Sequence, residues 1–347
     1  MPDEITRSRE QPRHRCAQPR AVEAGQKGHA ELQHFLFRAM ISWTLVLVQT
    51  LNGLQFGMML FLFAAGLTLV LGIMNLVNLA HGSLYMLGAF FAATIQHWSG
   101  SFLLGLLLAL PATFTAGVVI EFLVLRTLYV RDHLDQVLAT FGLILFLNEL
   151  VRIVWGATPL YMAIPPAFSG SVALLPGVNY PVYRLSLILL GLAVALFLYL
   201  LVGKTKVGML VRAGAANREM VEAIGVDIRL LFTAVFGLGA VLAALAGIMI
   251  GPILSVESGM GDGMLIIALV VIVIGGIGSI RGSFLAAIVV GLVDTMGRAF
   301  LPGLLVALMP RTIADALGPA LASMLIYVVM AVVLFFRPQG LFPARSG

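Results

Sequence analysis

The sequence predicts an all-α integral membrane protein, a polytopic bundle of about eight or nine transmembrane helices. Hydrophobic residues make up 60% of its 347 residues and charged residues only 11%, whereas about a quarter of the residues in soluble domains are charged. No Asp, Glu, Lys or Arg occurs between Arg38 and Glu121, an interval roughly four times as long as one membrane-spanning helix. Backbone polar groups in lipid must pair within the protein, and these segments are apolar throughout rather than alternating, so helices are predicted rather than a β-barrel.

Charge and cysteine content exclude several classes of function. The formal net charge is +5, but the basic residues lie in the N-terminal region and in short loops, which is how membrane proteins set their orientation. Nucleic acid is therefore not an expected partner. Cys16 is the only cysteine, which excludes an intramolecular disulfide and a cysteine-based metal cluster. We expect neither a metal nor a cofactor.

The chain divides into three parts. Residues 1–39 are polar and mixed in charge, which is typical of a disordered tail; alternatively they lie upstream of the true start, with translation beginning at Met40. Residues 40–340 form the membrane domain, and residues 341–347 form a short cytoplasmic tail. The domain contains nine apolar segments that we expect to be helical, at 41–73, 77–96, 101–125, 136–155, 183–202, 230–254, 263–280, 283–300 and 318–336.

The distribution of Lys and Arg predicts the orientation of these segments. The loops at 126–135 and 203–229 are basic and should be cytoplasmic, whereas the segment 156–182 has no Lys or Arg and should lie on the opposite side. Nine crossings would place the basic N-terminus outside and eight would place it inside. We therefore expect one broken or re-entrant segment, and the glycines and asparagines of residues 41–80 suggest that region.

Polar residues in membrane spans are costly, which makes each of them a functional candidate. The densest group is Asn75, Asn78, His81 and Ser83. The first three are spaced by three residues, so they share one helical face or line one unwound stretch. They line a translocation path or, alternatively, form a hydrogen-bond network between helices. The ligands are too few for a metal site.

Charged residues within the spans are expected to form ion pairs. Glu149 with Arg152 and Asp294 with Arg298 have the i,i+3 and i,i+4 spacing of intrahelical pairs. Coupling to protons would require an unpaired carboxylate, for which Glu121 is the nearest candidate. No nucleophile and base are placed together by a motif, so an enzyme is not expected.

The basic loop 203–229 contains signals for a short surface helix. Asn217 can cap its start, Glu219 and Glu222 favour its positive end, and Gly225 can end it in the left-handed conformation. A simple solvated connector does not need such a helix, so the loop indicates a site that contacts another protein.

Three motifs resemble those of the bacterial branched-chain amino-acid ABC transporter permeases (LivH type), a family that includes urea and amide permeases. They are Met74-Asn75-Leu76-Val77-Asn78-Leu79-Ala80-His81-Gly82-Ser83, the loop pattern at 212–219 with Gly225-Val226, and the turn Gly275-Gly276-Ile277-Gly278-Ser279-Ile280-Arg281-Gly282. They occur in the order of the family, and the resemblance covers residues 50–340.

The resemblance implies a transport subunit of the bacterial inner membrane. It implies two cytoplasmic ATP-binding subunits, a second homologous permease, and a periplasmic or lipid-anchored substrate-binding protein. It also implies that the cytoplasmic loop docks in a groove of an ATPase subunit, through Arg212, Ala213, Ala215, Asn217, Arg218, Glu219 and Gly225.

The sequence leaves open both the substrate and the class of transporter. Related permeases carry branched-chain amino acids, other amino acids, and urea or short amides. A passive channel for a small neutral solute is the alternative from another class, although a channel does not require the loop helix. A proton-coupled transporter would require an essential membrane carboxylate.

Overall fold

A computed structural model of the chain describes residues 43–342, except residues 75, 77, 130, 176, 177 and 224. The predicted tail at 1–39 and most of the predicted C-terminal tail lie outside the described residues. The helices are α1 Trp43–Met74, α2 His81–Ser99, α3 Phe102–Leu128, α4 His133–Trp155, α5 Val182–Lys204, α6 Lys206–Ala216, α7 Arg218–Ala223, α8 Ile228–Ile250, α9 Met260–Gly275, α10 Ile280–Leu308 and α11 Arg311–Phe336. A single 3-10 turn, Pro166–Phe168, is also present in the described segments.

The all-α membrane bundle is confirmed. Seven helices are long and apolar enough to cross a membrane, namely α1, α3, α4, α5, α8, α10 and α11. Two shorter helices, α2 with 19 residues and α9 with 16, fill two further predicted spans. The predicted count of eight or nine therefore corresponds to nine helices of 16 residues or more in the described part of the chain.

The predicted break in residues 41–80 lies at the end of that region. Helix α1 runs without interruption from Trp43 to Met74. The chain is non-helical only afterwards, at Leu76 and residues 78–80, before α2 begins. The glycines of α1 do not interrupt the helix because they serve close packing, and an uninterrupted helix keeps its backbone hydrogen bonds satisfied in lipid.

Helices α1 and α8 form the centre of the bundle. Helix α1 packs against α10, α8, α5 and α9, and α8 packs in addition against α2 and α3. Helix α1 and α10 approach so closely that a Cβ built on Gly291 would lie 2.5 Å from the Gly53 carbonyl oxygen. Similar backbone contacts join Gly66 to Gly239 of α8. Helix association therefore depends on small residues, as expected where lipid removes the hydrophobic drive between helices.

A short antiparallel hairpin connects α4 to α5 on the predicted outer side. Its strands are β1 Ser171–Leu175 and β2 Val178–Pro181, with Val172 paired to Tyr180. Tyr180 Oη donates to Asn52 Oδ1 of α1 at 3.3 Å, which places the start of α1 on this side. At the other end of α1, Gly72 lies against Gly278 in the turn before α10. Helix α1 thus runs from the side of the hairpin to the side of the turn before α10.

The contact between α1 and α10 predicts a specific sensitivity at Gly291. Replacement by Ala would place a Cβ 2.5 Å from both the Gly53 carbonyl oxygen and the Gly57 amide nitrogen. Both are backbone atoms, so the helices must separate, at a cost of about 1–3 kcal/mol. We expect a lower thermal-unfolding midpoint in detergent, measured by fluorescence-detected size exclusion after heating.

Gly203→Ala is the matched control for this substitution. A Cβ at Gly203 meets nothing within 4 Å, and Ala is the better helix former. The midpoint of this variant should stay equal or rise. Equal midpoints for the two variants would show that α1 and α10 do not require backbone contact.

Candidate functional site

The polar stretch between α1 and α2 is buried in the bundle and non-helical. Asn78 is 1% exposed, and its Oδ1 accepts a hydrogen bond from the Ala80 amide at 3.1 Å. The side chain therefore satisfies a backbone donor that no helix satisfies. Asn75 lies outside the described residues. Asn78 lies in the unwound stretch and His81 is the first residue of α2, so the two do not share one helical face.

His81 and Ser83 begin α2 and are buried. His81 Nε2 lies 3.3 Å from the Phe63 carbonyl oxygen, and the two rings meet edge to face at 5.0 Å. Six buried side-chain atoms have no hydrogen-bond partner among the described residues, and three of them lie in this segment: Asn78 Nδ2, His81 Nδ1 and Ser83 Oγ. Unpaired buried polar groups cost free energy and are rare in native proteins. Such a concentration in one membrane segment marks it as a functional candidate.

The first turns of α2 and α9 meet beside this stretch. A Cβ built on Gly82 would lie 2.7 Å from the Gly261 carbonyl oxygen. Neither helix start has a side-chain cap, but Asp262 places a carboxylate in the first turn of α9, so the start of α2 is the positive helix end without an acidic residue in its first turn. Broken helices of membrane transporters use the same arrangement at substrate sites.

The sequence reasoning missed the α9 side of this arrangement. Its available signal was the run Gly259-Met260-Gly261-Asp262-Gly263, in which an acid stands among glycines at the end of an apolar region. Asn148 of α4 donates from Nδ2 to Asp262 Oδ2 at 3.2 Å. Ser258 Oγ donates to the Asn148 carbonyl oxygen at 3.0 Å. These bonds fix the start of α9 to the C-terminal half of α4.

Glu121 is not the unpaired carboxylate that the sequence suggested. It is fully buried in a π-helical turn of α3, and its carboxylate accepts hydrogen bonds from Tyr129 Oη at 2.6 Å and Thr233 Oγ1 at 2.9 Å. Arg126 lies 3.6 Å away. A buried charge with this many partners is a structural link between α3 and α8, so the proton-coupled alternative loses its candidate residue.

The two predicted ion pairs are confirmed. Arg152 Nη1 lies 2.9 Å from Glu149 Oε1 on α4. Arg298 Nε lies 2.9 Å from Asp294 Oδ2 on α10.

The loop 203–229 contains two helices rather than one. Helix α6 begins with a cap in which Thr205 Oγ1 accepts from the Gly208 amide at 3.1 Å. Val211 and Gly214 form its buried side. A Cβ on Gly214 would contact Leu231 of α8 at 3.4 Å, so this side of α6 rests on the start of α8.

The capping predictions for α7 are confirmed. Asn217 Oδ1 accepts from the Met220 amide at 3.0 Å, which is the N-cap hydrogen bond. Gly225 has φ +86. The Gly225 amide donates to the Glu222 carbonyl at 2.9 Å and the Val226 amide to the Val221 carbonyl at 3.3 Å, which together form a Schellman ending.

The other predicted loop residues differ in their accessibility. Arg212 donates from Nη1 to the Val202 carbonyl oxygen, so its guanidinium has a partner within the chain. Ala213 is half-buried and Ala215 is exposed. The side chains of Arg218 and Glu219 lie outside the described part of the chain. Met209 and Met220 are also exposed, and the sequence did not predict a role for them. Each is an apolar residue on the exposed side of a short helix, a pattern that could have indicated a contact surface.

Comparison with known proteins gives the family. The family described as branched-chain amino acid transport system / permease component matches residues 49–334. The chain is 29% identical over 311 residues to the high-affinity branched-chain amino acid transport system permease protein BraD of Pseudomonas aeruginosa, covering 85% of this chain and 95% of the relative. It is 26% identical over 273 residues to LivH of Escherichia coli K12, covering 74% and 87%.

A relative from Methanocaldococcus jannaschii, named as a probable branched-chain amino acid transport permease protein LivH, is 25% identical over 301 residues and covers 82% of this chain and 88% of its own. No solved structure matches the chain. The family match extends from α1 to α11 and includes both the buried polar stretch and helices α6 and α7. The chain is a multi-pass membrane protein and belongs to the family of branched-chain amino acid transport system permease components.

Proposed function

We propose that this chain is the inner-membrane permease subunit of an ABC importer for branched-chain or other amino acids. The observation that carries the proposal is the family match over residues 49–334, because relatives along nearly their whole lengths are named as branched-chain amino acid permeases. The polar stretch before α2 forms part of the translocation path. Helices α6 and α7, within the loop 203–229, couple the path to ATPase subunits.

The proposed path starts from the buried group formed by Asn78, His81 and Ser83, with Asn75 next to it in sequence. Exposure of 1% or less for the three described residues means that the group is closed to solvent in this conformation. Their unpaired atoms and the uncapped start of α2 offer hydrogen bonds and positive potential to the carboxylate of an amino acid. Opening would allow these unpaired atoms to form hydrogen bonds with solute and water.

The proposed coupling surface is the exposed side of α6 and α7. Arg212, Ala213, Ala215, Asn217, Arg218, Glu219 and Gly225 are the residues proposed to shape or contact a groove in the ATPase subunit. The buried side includes Val211 and Gly214, and Gly214 lies against Leu231 of α8. Movement of the surface therefore displaces α8, which packs against α1, α2 and α3.

The proposal includes partners that supply what the chain lacks. Its sequence contains no complete phosphate loop, because Gly203-Lys204-Thr205 is preceded by Leu198 where the motif requires its first glycine, so two cytoplasmic ATP-binding subunits would provide hydrolysis. A second homologous permease would complete the path, and a periplasmic or lipid-anchored protein would deliver the solute. Reconstitution with these partners tests the whole proposal: uptake of leucine should require ATP. Uptake of urea instead would favour an amide permease, and uptake without ATP a passive channel.

Loss of the α7 cap should uncouple hydrolysis from transport. Asn217→Ala removes the hydrogen bond to the Met220 amide at a cost of about 1 kcal/mol, and a six-residue helix cannot persist by propensity alone. We expect the assembled transporter to lose substrate-stimulated uptake while the chain still inserts. The measurement is ATP hydrolysis and amino-acid uptake in the same proteoliposomes.

Asn217→Ser is the control for the cap, because serine at this position also accepts from the backbone amide. It should restore coupling. A second pair, Gly225→Asn and Gly225→Val, tests the helix end, since Asn tolerates the left-handed conformation and a β-branched residue does not. Normal coupling in Asn217→Ala and Gly225→Val would remove the coupling role from α7.

Ser83→Ala separates a path residue from a structural one. Ser83 Oγ is buried without a partner, so deleting it should leave the unfolding midpoint equal or higher. If the hydroxyl contacts solute, uptake should nevertheless fall several-fold, as it should for His81→Ala. Uptake kinetics and thermal unfolding are measured on the same preparations.

The control for Ser83 is Ser283→Ala. Ser283 Oγ is buried and hydrogen-bonded to Thr68 Oγ1 at 2.7 Å, so its loss should lower stability by about 1 kcal/mol and leave the affinity for solute unchanged. Wild-type uptake by Ser83→Ala and His81→Ala would support a purely structural role for this stretch.

A further inference from the structure

The first turn of α9 places an unpaired carboxylate inside the bundle. Helix α9 packs against α1, α2, α10 and α11, and Asp262 in its first turn is half-buried. Glu121, Glu149 and Asp294 lie 3.6, 2.9 and 2.9 Å from an arginine nitrogen, whereas Asp262 has no basic partner in the part of the chain that the structure describes. A charged group inside a membrane protein normally faces an opposite charge or an aqueous path. Asp262 is therefore a candidate to bind a cationic group.

Hydrogen bonding leaves one oxygen of this carboxylate available. Asp262 Oδ2 accepts from Asn148 Nδ2 at 3.2 Å, and the donor is a neutral amide. Among the described residues, none donates a hydrogen bond to Oδ1. An ionised carboxylate accepts roughly four hydrogen bonds. Asp262 is thus held in position by α4 and keeps acceptor capacity for a solute.

The positive start of α2 lies beside Asp262. A Cβ built on Gly82 would lie 2.7 Å from the Gly261 carbonyl oxygen, so the first turns of α2 and α9 touch through their backbones. Asp262 follows this contact by one residue in α9, and Ser83 follows it by one residue in α2. Ser83 Oγ and His81 Nδ1 are buried and have no partner among the described residues. A negative group therefore lies next to unpaired polar atoms at a positive helix end.

This arrangement of charges distinguishes between the solutes that the sequence left open. An α-amino acid has its ammonium and its carboxylate on the same carbon atom, so a site that binds it must offer both charges close together. The carboxylate of Asp262 complements the ammonium, and the uncapped start of α2 complements the carboxylate. Urea and short amides have neither charge and would leave Asp262 without a counter-ion inside the bundle.

We propose that Asp262 binds the ammonium group of the solute, and that the solute is a zwitterionic α-amino acid lying across the contact between α2 and α9. Asn148 orients the carboxylate through Oδ2, which leaves Oδ1 for the ammonium. This role rests on the proposed function, because it requires a solute that crosses the bundle.

The first test removes the charge of Asp262 and keeps its hydrogen bond. In Asp262→Asn the new side chain can still accept from Asn148 Nδ2. In the transporter reconstituted with its partners, the maximal rate of leucine uptake should fall roughly tenfold, because a charge-assisted hydrogen bond becomes a neutral one. Basal ATP hydrolysis and recovery of the ATPase subunits should stay at the wild-type level. Wild-type uptake by this variant would overturn the proposal.

Asp135→Asn controls for the loss of an acidic residue from the first turn of a helix. Asp135 occupies the same position in α4 as Asp262 does in α9, but it is exposed. Its replacement removes the same interaction with the helix dipole. Leucine uptake should therefore stay at the wild-type level, and the change in unfolding midpoint should be comparable to that of Asp262→Asn. An equal loss of uptake in both variants would contradict a role in binding.

Asn148→Ala and Asp262→Glu separate the charge from the attachment of α9 to α4. Asn148→Ala breaks the bond to Oδ2 but retains the carboxylate, so it should lower the unfolding midpoint and retain more uptake than Asp262→Asn. Asp262→Glu also retains the charge, and its uptake should likewise exceed that of Asp262→Asn. The reverse order, with Asp262→Asn the most active of the three, would show that Asp262 serves only to attach α9.

The outcomes distinguish the role of Asp262 from the proposed function. If leucine uptake by the wild-type transporter requires ATP and Asp262→Asn takes up leucine equally well, the role of Asp262 fails and the function stands. If the wild-type transporter takes up no leucine, or takes up urea instead, the proposed amino-acid importer fails and the role of Asp262 fails with it.

Discussion

Close backbone contact between α1 and its neighbours is the constraint on which the rest of the bundle depends. In lipid no hydrophobic drive brings helices together, so their association relies on van der Waals contact and hydrogen bonds. Helix α1 meets α10 at Gly53 and Gly57 and meets α8 at Gly66, where an added Cβ would overlap or crowd backbone atoms. These contacts explain how α1 is held in place without a charged residue. It has 32 residues, and 83% of its apolar 18-residue window is buried.

The polar groups of the bundle fall into two classes that correspond to different roles. Thr68 with Ser283, and Glu121 with Tyr129 and Thr233, are paired across helices and fix their relative positions. The stretch from Asn78 to Ser83 is instead buried with unpaired atoms. Satisfied networks rigidify a structure, whereas unsatisfied groups store free energy that another conformation can release. Buried groups with unpaired atoms are therefore expected at the place where the proposed path opens.

In the proposed mechanism, α8 connects the cytoplasmic surface to the path. Its start supports α6 at Gly214, and its interior glycines contact α1 and α2. The contacts of α8 with α1 and α2 are between closely packed backbones, whereas α6 meets α8 through the Leu231 side chain. Packed interfaces of both kinds transmit displacement because they deform little. The Schellman ending at Gly225 and the cap at Asn217 keep α7 folded at the point where a partner would push.

The sequence alone determined the membrane class, the helical segments and the local signals of α7. These depend on neighbouring residues: apolar length decides that a segment spans, and Asn217 and Gly225 act on backbone groups within a few residues of themselves. Only the tertiary structure showed that Glu121 links α3 to α8, because its partner Thr233 is 112 residues away in sequence. It also decided that α1 is unbroken and that the starts of α2 and α9 meet at Gly82 and Gly261. A glycine in an apolar segment has the same sequence signature whether it breaks a helix, admits a neighbour or stays open. Only the position of the other helices distinguishes these outcomes.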